Sequence, residues 1–212
     1  MRGVLLGNYH TYDDFNLIII GKEIGDAEVR KNKLKVEGAS GYLDYTDAFG
    51  GPTYDNRTLL FNVQMLVEPS NFLSEYSRIS NALNGEKVRI ILDDDPDFYY
   101  IGRISISTLK TVKNQAFFDI TCDCEPFKNK ANVTVVSQAV SGTATITLEN
   151  LKKKVVPTIT TDAEFNFAWN DFSATVSAGT FLLPEFELVA GTNTITVTGT
   201  GNVKFEYQEG GL

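Results

Sequence analysis

A chain of 212 residues with 42% hydrophobic content holds one large or two modest packed domains and is not disordered. Its formal net charge of -8 and sequence pI near 4.7 exclude a nonspecific grip on nucleic acid, which needs clustered Lys and Arg to displace counterions from phosphates. The acidity fits solubility, or a surface that lets DNA slide past.

The N-terminal segment MRGVLLGNYHTYDDFNLIII holds two short apolar patches, neither long enough for a signal-peptide core or a membrane span. The expectation is a soluble protein with no export signal of its own. Strand-like runs follow at residues 17–20, 33–37, 42–46 and 58–67. In the last, Phe61, Val63, Met65 and Val67 mark a buried face against Asn62 and Gln64. Gly38, Gly41, Gly50, Gly51 and Pro52 punctuate these runs as turns.

One helix is predicted over residues 70–84. Ser70 after Pro69 is placed to cap it, Phe72, Tyr76, Ile79 and Leu83 share one face, and Asn84-Gly85 supplies the stop. An apolar stripe at this spacing reads as the side packed on a sheet. The run 88–92 then enters a turn across Asp93-Asp94-Asp95-Pro96-Asp97 and returns through 98–107. Asn114 turns the chain into 115–124, which makes a three-strand meander.

Past residues 125–132 the helical signal stops and short Thr-, Val- and Gly-rich runs take over, at 143–148, 155–161, 165–169 and 180–183. That change in character places a boundary between a first domain, 1–128, and a second, 129–212, which reads as an all-β sandwich. Residues 191–209 (GTNTITVTGTGNVKFEYQE) read as a terminal β-hairpin turning at 199–202. Ile195, Val197, Val203, Phe205 and Tyr207 are its buried face, and Thr194, Thr196 and Thr198 its wet one.

Chemistry-bearing constellations are sparse. Asp93, Asp94, Asp95 and Asp97 are oxygen-rich but lack the Gly and Glu spacing of an EF-hand, so a solvated turn is the reading. His10 is the sole histidine and no G-x-S-x-G elbow exists to partner it. Cys122 and Cys124 sit one residue apart, too close along one strand for an ordinary disulfide, and read as small buried thiols. The 27 acidic residues offer many carboxylate pairs but no specific one. Lys152, Lys153 and Lys154 read as a solvated strand end. Phe165, Phe167, Trp169 and Phe172 are the one group able to stack on a sugar, but the first three share strand parity and read as core. No catalytic, cofactor-binding or metal residue is assigned, and no enzyme is expected.

Four segments in order carry a family likeness: GASGYLDYTDAFGGPTYDNRTLLFNV (38–63), LDDDPDFYYIGRISIS (92–107), CDCEPF (122–127) and LPEFELVAGTNTITVTGTGNVKFEYQE (183–209). Together they resemble the distal tail protein (Dit) family of long, noncontractile-tailed bacteriophages and prophages. The resemblance implies an N-terminal partly open β-barrel with one helix and a hairpin arm, and a C-terminal galectin-like β-sandwich. It implies a structural virion protein of the tail, made in the bacterial host cytoplasm. That protein is a homohexameric ring joining the tail tube protein to a tail-tip or tail-associated protein at the baseplate, with a channel for DNA and no membrane partner. A carbohydrate-binding β-sandwich that recognises the host cell surface is the alternative. The short C-terminal part leaves no room for an inserted carbohydrate module.

Overall fold

The computed structural model describes residues 3–48 and 50–212. Met1 and Arg2, in the first apolar patch, and Phe49, in the 38–63 block, lie outside the described residues. The chain divides into two compact units, Met1–Pro126 and Phe127–Leu212.

The first unit runs β1 (Val4–Leu6), β2 (Tyr9–His10), β3 (Leu17–Ile24), β4 (Lys33–Leu34), β5 (Leu43–Asp44), β6 (Arg57–Met65), α1 (Phe72–Leu83), β7 (Lys87–Leu92), β8 (Asp95–Ile106), β9 (Lys110–Val112) and β10 (Gln115–Cys124). Its main sheet is antiparallel in the order β2-β1-β7-β8-β10-β6-β3, with β9 also on β10. The expected meander is present as β7-β8-β10. The sheet curls into a half-barrel. Lys22 of β3, at the end of the sheet, meets Asp94 of the β7–β8 turn at 2.6 Å, which a flat sheet with β10 and β6 between them would forbid.

Period two supplies the core. Leu59, Phe61, Val63 and Met65 of β6 and Phe118, Ile120, Cys122 and Cys124 of β10 alternate inward. The helix lays Phe72, Ile79 and Leu83 into that cluster, with Tyr76 half-buried and its hydroxyl donating to the Ser107 carbonyl at 2.9 Å. Each of these large side chains contributes roughly 1.5–3 kcal/mol by leaving water. The helix stops where expected: Gly85 takes φ 88°, open only to a residue without Cβ crowding.

Three local expectations need correction. Ser70 does not cap the helix: a 3-10 turn, Pro69–Asn71, precedes it, Asn71 holds the cap position without a side-chain bond, and the Ser74 hydroxyl donates to the Asn71 carbonyl. Pro69 has no N–H to give and a fixed φ, which starts the tighter turn before the helix. The acidic turn is shorter than the five residues expected. Leu92 pairs with Asp95, so Asp93 and Asp94 alone reverse the chain and Pro96 and Asp97 belong to β8. Finally, β3 continues past Ile20 to Ile24, because a bulge between Ile19 and Gly21 keeps it in register with β6. Gly21 is there for space: a Cβ would lie 2.5 Å from Asn62 Oδ1.

The second unit runs β11 (Lys128–Lys130), β12 (Thr134–Asn150), β13 (Thr158–Thr161), β14 (Phe165–Trp169), β15 (Phe172–Val176), β16 (Gly179–Leu182), β17 (Gly191–Tyr207) and β18 (Gly210–Gly211). The expected terminal hairpin is not one. β17 is a single 17-residue strand, paired along its whole length with β12, and the register passes through Gly142↔Gly199 and Val140↔Gly201 unbroken. Gly199 and Gly201 mark a change of neighbour, from β14, which pairs up to Gly199, to β13, which pairs from Val203. A Cβ on Gly199 would meet the Phe165 ring at 2.4 Å, and one on Gly201 would meet Asp162 Oδ1 at 2.3 Å.

The strand also folds over on itself. Val197 is the direct partner of Phe167, yet Phe205, about 27 Å further along an extended strand, places its ring 6.1 Å from the same Phe167 ring. One sheet thereby forms both layers of a sandwich. Ile195, Val197, Val203, Phe205 and Tyr207 are all buried as the alternation requires. Phe165, Phe167 and Trp169 join them in the core with Phe186 and Leu188. Thr194, Thr196 and Thr198 face out, and Thr198 pairs its hydroxyl with that of Thr143 at 3.1 Å.

Candidate assembly surface

Residues 25–56 stand out from everything else in the first unit, because none of those described is buried. They extend the β3–β6 hairpin into a two-stranded arm. Gly25 N–H donates to Thr58 O, Asp55 N–H to Glu28 O, Arg30 N–H to Thr53 O and Tyr45 N–H to Asn32 O, each at 2.8 Å. Beyond these rungs Lys33 pairs with Asp44 and Leu34 with Leu43. The regular ladder is shorter than the runs 33–37 and 42–46 expected from sequence. A lone ribbon has no third strand to hold it flat, and the chain turns at Gly38 and Gly41, with φ of 81° and 89°.

Alternation gives the arm two faces. Leu34 and Leu43 share one with Tyr45, at 53%, 49% and 42% exposure. Lys33 and Asp44 share the other, where the Lys33 ammonium lies 5.8 Å from the centre of the Tyr42 ring. The strand from 30 to 35 carries four cations, Arg30, Lys31, Lys33 and Lys35. Arg30 is held by Asp55 at 2.7 Å. The Asp44 carboxylate accepts the Thr46 hydroxyl and Thr46 N–H, which hold it below the usual carboxylate range. At the arm's root Arg57 is 4% exposed, reaches Asp26 at 3.8 Å, and leaves its Nε without a partner among the described residues.

The opposite charge gathers at the β1–β2 hairpin and the β7–β8 turn. His10 is central here, and its part is structural. Its Nε2 lies 3.1 Å from Asp93 Oδ1, its Nδ1 lies 3.0 Å from Asp13 Oδ2, and its N–H donates to Asp14 at 2.6 Å. Asp93 also accepts Gly3 N–H at 2.8 Å. The hydrogen bond from Lys22 holds the Asp94 carboxyl below its ordinary range. Tyr9 and Tyr12, at 42% and 38% exposure, flank the cluster. No group of three or more His, Cys, Asp or Glu among the described residues is arranged to hold a metal ion.

The remaining sequence candidates fall into structural places. Cys122 and Cys124 are free and fully buried, and burial pushes both thiols up, Cys124 to about 12. Lys152 and Lys153 donate their backbone N–H groups to Gly210 O, Lys153 Nζ donates to Asn129, and Lys154 pairs with Glu187. The run follows the end of β12 with Lys152 and Lys154 exposed, as a solvated strand end requires, and its backbone also braces β18. Sequence reasoning missed Glu209, which is 4% exposed and accepts from Lys130 Nζ at 2.6 Å and the Thr134 hydroxyl at 2.5 Å. A shallow cleft of 460 Å³ lies against Thr160, Asp162, Asn202 and Lys204. Several of its polar groups are already taken: Asp162 accepts from Asn202, Thr160 meets Thr180, and Lys204 pairs with Glu206.

No protein-family model matches the chain, and no curated protein matches it in sequence. Among solved structures it matches the Dit protein (gp 19.1) of SPP1, a hub protein of the adsorption apparatus in phages that infect Gram-positive bacteria. The TM-score is 0.68 at 13% identity, over 97% of this chain and 98% of that one. The chain has the Dit fold. At that identity the likeness resides in the course of the backbone. The Dit fold here comprises the half-barrel with one helix and a hairpin arm, followed by the sandwich, as the resemblance implied.

Proposed function

We propose that the protein is a structural subunit of a phage tail hub. Copies associate into a homohexameric ring that joins the tail tube to the tip or baseplate and leaves a channel through which DNA passes. The observation that carries this reading is the match to a hub protein over nearly all of both chains. The arm supports it, since among the described residues a ribbon with half-exposed Leu34, Leu43 and Tyr45 has no covering partner in its own unit. The work asked of the protein is mechanical, its neighbours are a tube protein and a tip protein, and its place is the virion tail.

Against the carbohydrate-binding alternative, Phe165, Phe167 and Trp169 lie in the sandwich core and half-buried Phe172 packs edge-on against Phe186. Negative-stain imaging of the purified protein tests the hub reading. Rings with six-fold symmetry are expected, and single copies at every concentration refute it.

A further inference from the structure

We propose that Asn84-Gly85, at the junction between α1 and β7, is a site of spontaneous backbone modification that the fold keeps shut. Asn84 loses its side-chain amide and becomes aspartate or isoaspartate, at a rate set by how often this junction opens. The site belongs to the single chain and does not rest on the ring. Of all the asparagines in the sequence, Asn84 alone is followed by glycine, and both residues are exposed to water. A glycine nitrogen has no Cβ beside it to obstruct attack, and a Cβ at Gly85 would meet nothing within 4 Å. The pair is there because it ends the helix. Gly85 takes φ 88°, and the Asn84 side chain accepts Ile106 N–H at 3.0 Å.

The chemistry needs only water and hydroxide. Hydroxide takes the Gly85 amide proton, and the nitrogen attacks Asn84 Cγ. A cyclic imide forms as the Cγ–Nδ2 bond breaks and ammonia leaves with a proton from water. Water then opens one of the two imide C–N bonds, which gives aspartate or isoaspartate with no change of oxidation state. The fold withholds the first step. Gly85 N–H donates to Ile104 O at 2.8 Å, Asn84 N–H donates to Ser80 O at 2.9 Å, and Ile106 N–H holds Asn84 Oδ1. Asn84 is thereby kept at ψ 122°, where the Gly85 nitrogen stands well away from the line of the Asn84 Cβ. The ring closes only when the junction lets go. Isoaspartate then adds a carbon to the main chain ahead of Gly85, which moves its N–H out of step with Ile104 O and hinders re-closure.

Peptide mapping by mass spectrometry of the full-length protein tests this, after warm incubation at mildly alkaline pH, folded or in guanidinium chloride. The tryptic peptide 79–87 carries Asn84 and also Asn81, which precedes alanine and serves as the internal reference. In denaturant Asn84 should convert well ahead of Asn81, with isoaspartate among the products. In the folded protein it should convert ~10-fold or more slowly, since conversion then waits on local opening. Leu83→Ala empties a buried position beside the junction and should raise the folded rate toward the denatured one. Asn84→Gln, whose longer side chain cannot close the same ring, should remove the signal. Conversion of Asn84 as fast folded as denatured, or no faster than Asn81 in denaturant, overturns the proposal. So does a Leu83→Ala protein that stays folded and converts at the parent's rate.

Discussion

Leu34 and Leu43 are direct cross-strand partners on the arm, and each leaves about half of its side chain in water, at 53% and 49% exposure. A pair that close contributes to a fold by covering something, and no described residue of its own unit buries it. On the hub reading proposed above, the pair is left available to a neighbouring copy. Replacing both with Ser should change the unfolding free energy of the isolated chain by no more than about 0.5 kcal/mol, as for surface substitutions generally. The same variant should shift the ring population toward single copies. Thermal unfolding and mass photometry on one sample separate the two effects.

The sandwich core depends on the folded-over strand β17. Phe205 is fully buried and edges onto Phe167 at 6.1 Å, so Phe205→Ala should cost ~3–5 kcal/mol. Gly199→Ala should also destabilise, because a Cβ there meets the Phe165 ring at 2.4 Å and the Glu164 carbonyl at 2.8 Å. Urea unfolding measures both. A Gly199→Ala variant as stable as the parent would show that position 199 is the ordinary turn its sequence suggested.

Much of this was legible from spacing. The inward faces of β6, β14 and β17, the stripe of α1 and the paired thiols follow from periods of two and of three to four, because burial acts on side chains one strand or one turn at a time. What escaped depends on partners far away in sequence. The segment GTGN around residue 200 reads as a turn because Gly permits one. Whether the chain reverses there is decided by β12, which pairs straight through it. Glu209 drew no reading of its own beyond closing the 191–209 segment, and its burial is set by Lys130, 79 residues earlier. The arm was visible as strands and glycines, but that none of its described residues is buried is a property of the folded sheet.

The cysteines give a chemical check on burial. Both thiols are shielded from water, and burial raises the Cys124 thiol from its ordinary 9.0 to about 12. A thiol reagent at mildly alkaline pH should find neither in the folded protein and both in denaturant. A raised acid costs stability once its proton is pulled off, so the contribution is whole below pH 9 and lost as pH climbs through about 12.

Asp162 ties the β13–β14 loop to the bend of β17 by accepting Asn202 N–H at 2.6 Å and its side-chain amide at 2.7 Å. The backbone bond first and then the amide hold its carboxyl below the ordinary 3.8. A lowered carboxylate supports the fold above the usual carboxylate range and stops doing so as pH falls through its own lower value. Asp162→Asn should therefore be less stable than the parent at neutral pH, with the gap closing in acid. A gap that persists unchanged to low pH would assign the loss to packing instead of charge.

Native mass spectrometry of the full-length chain tests the central claim most directly. The account expects a species at six times the 23.4 kDa mass of one copy. A protein that stays at the mass of one copy across the accessible concentration range would contradict it.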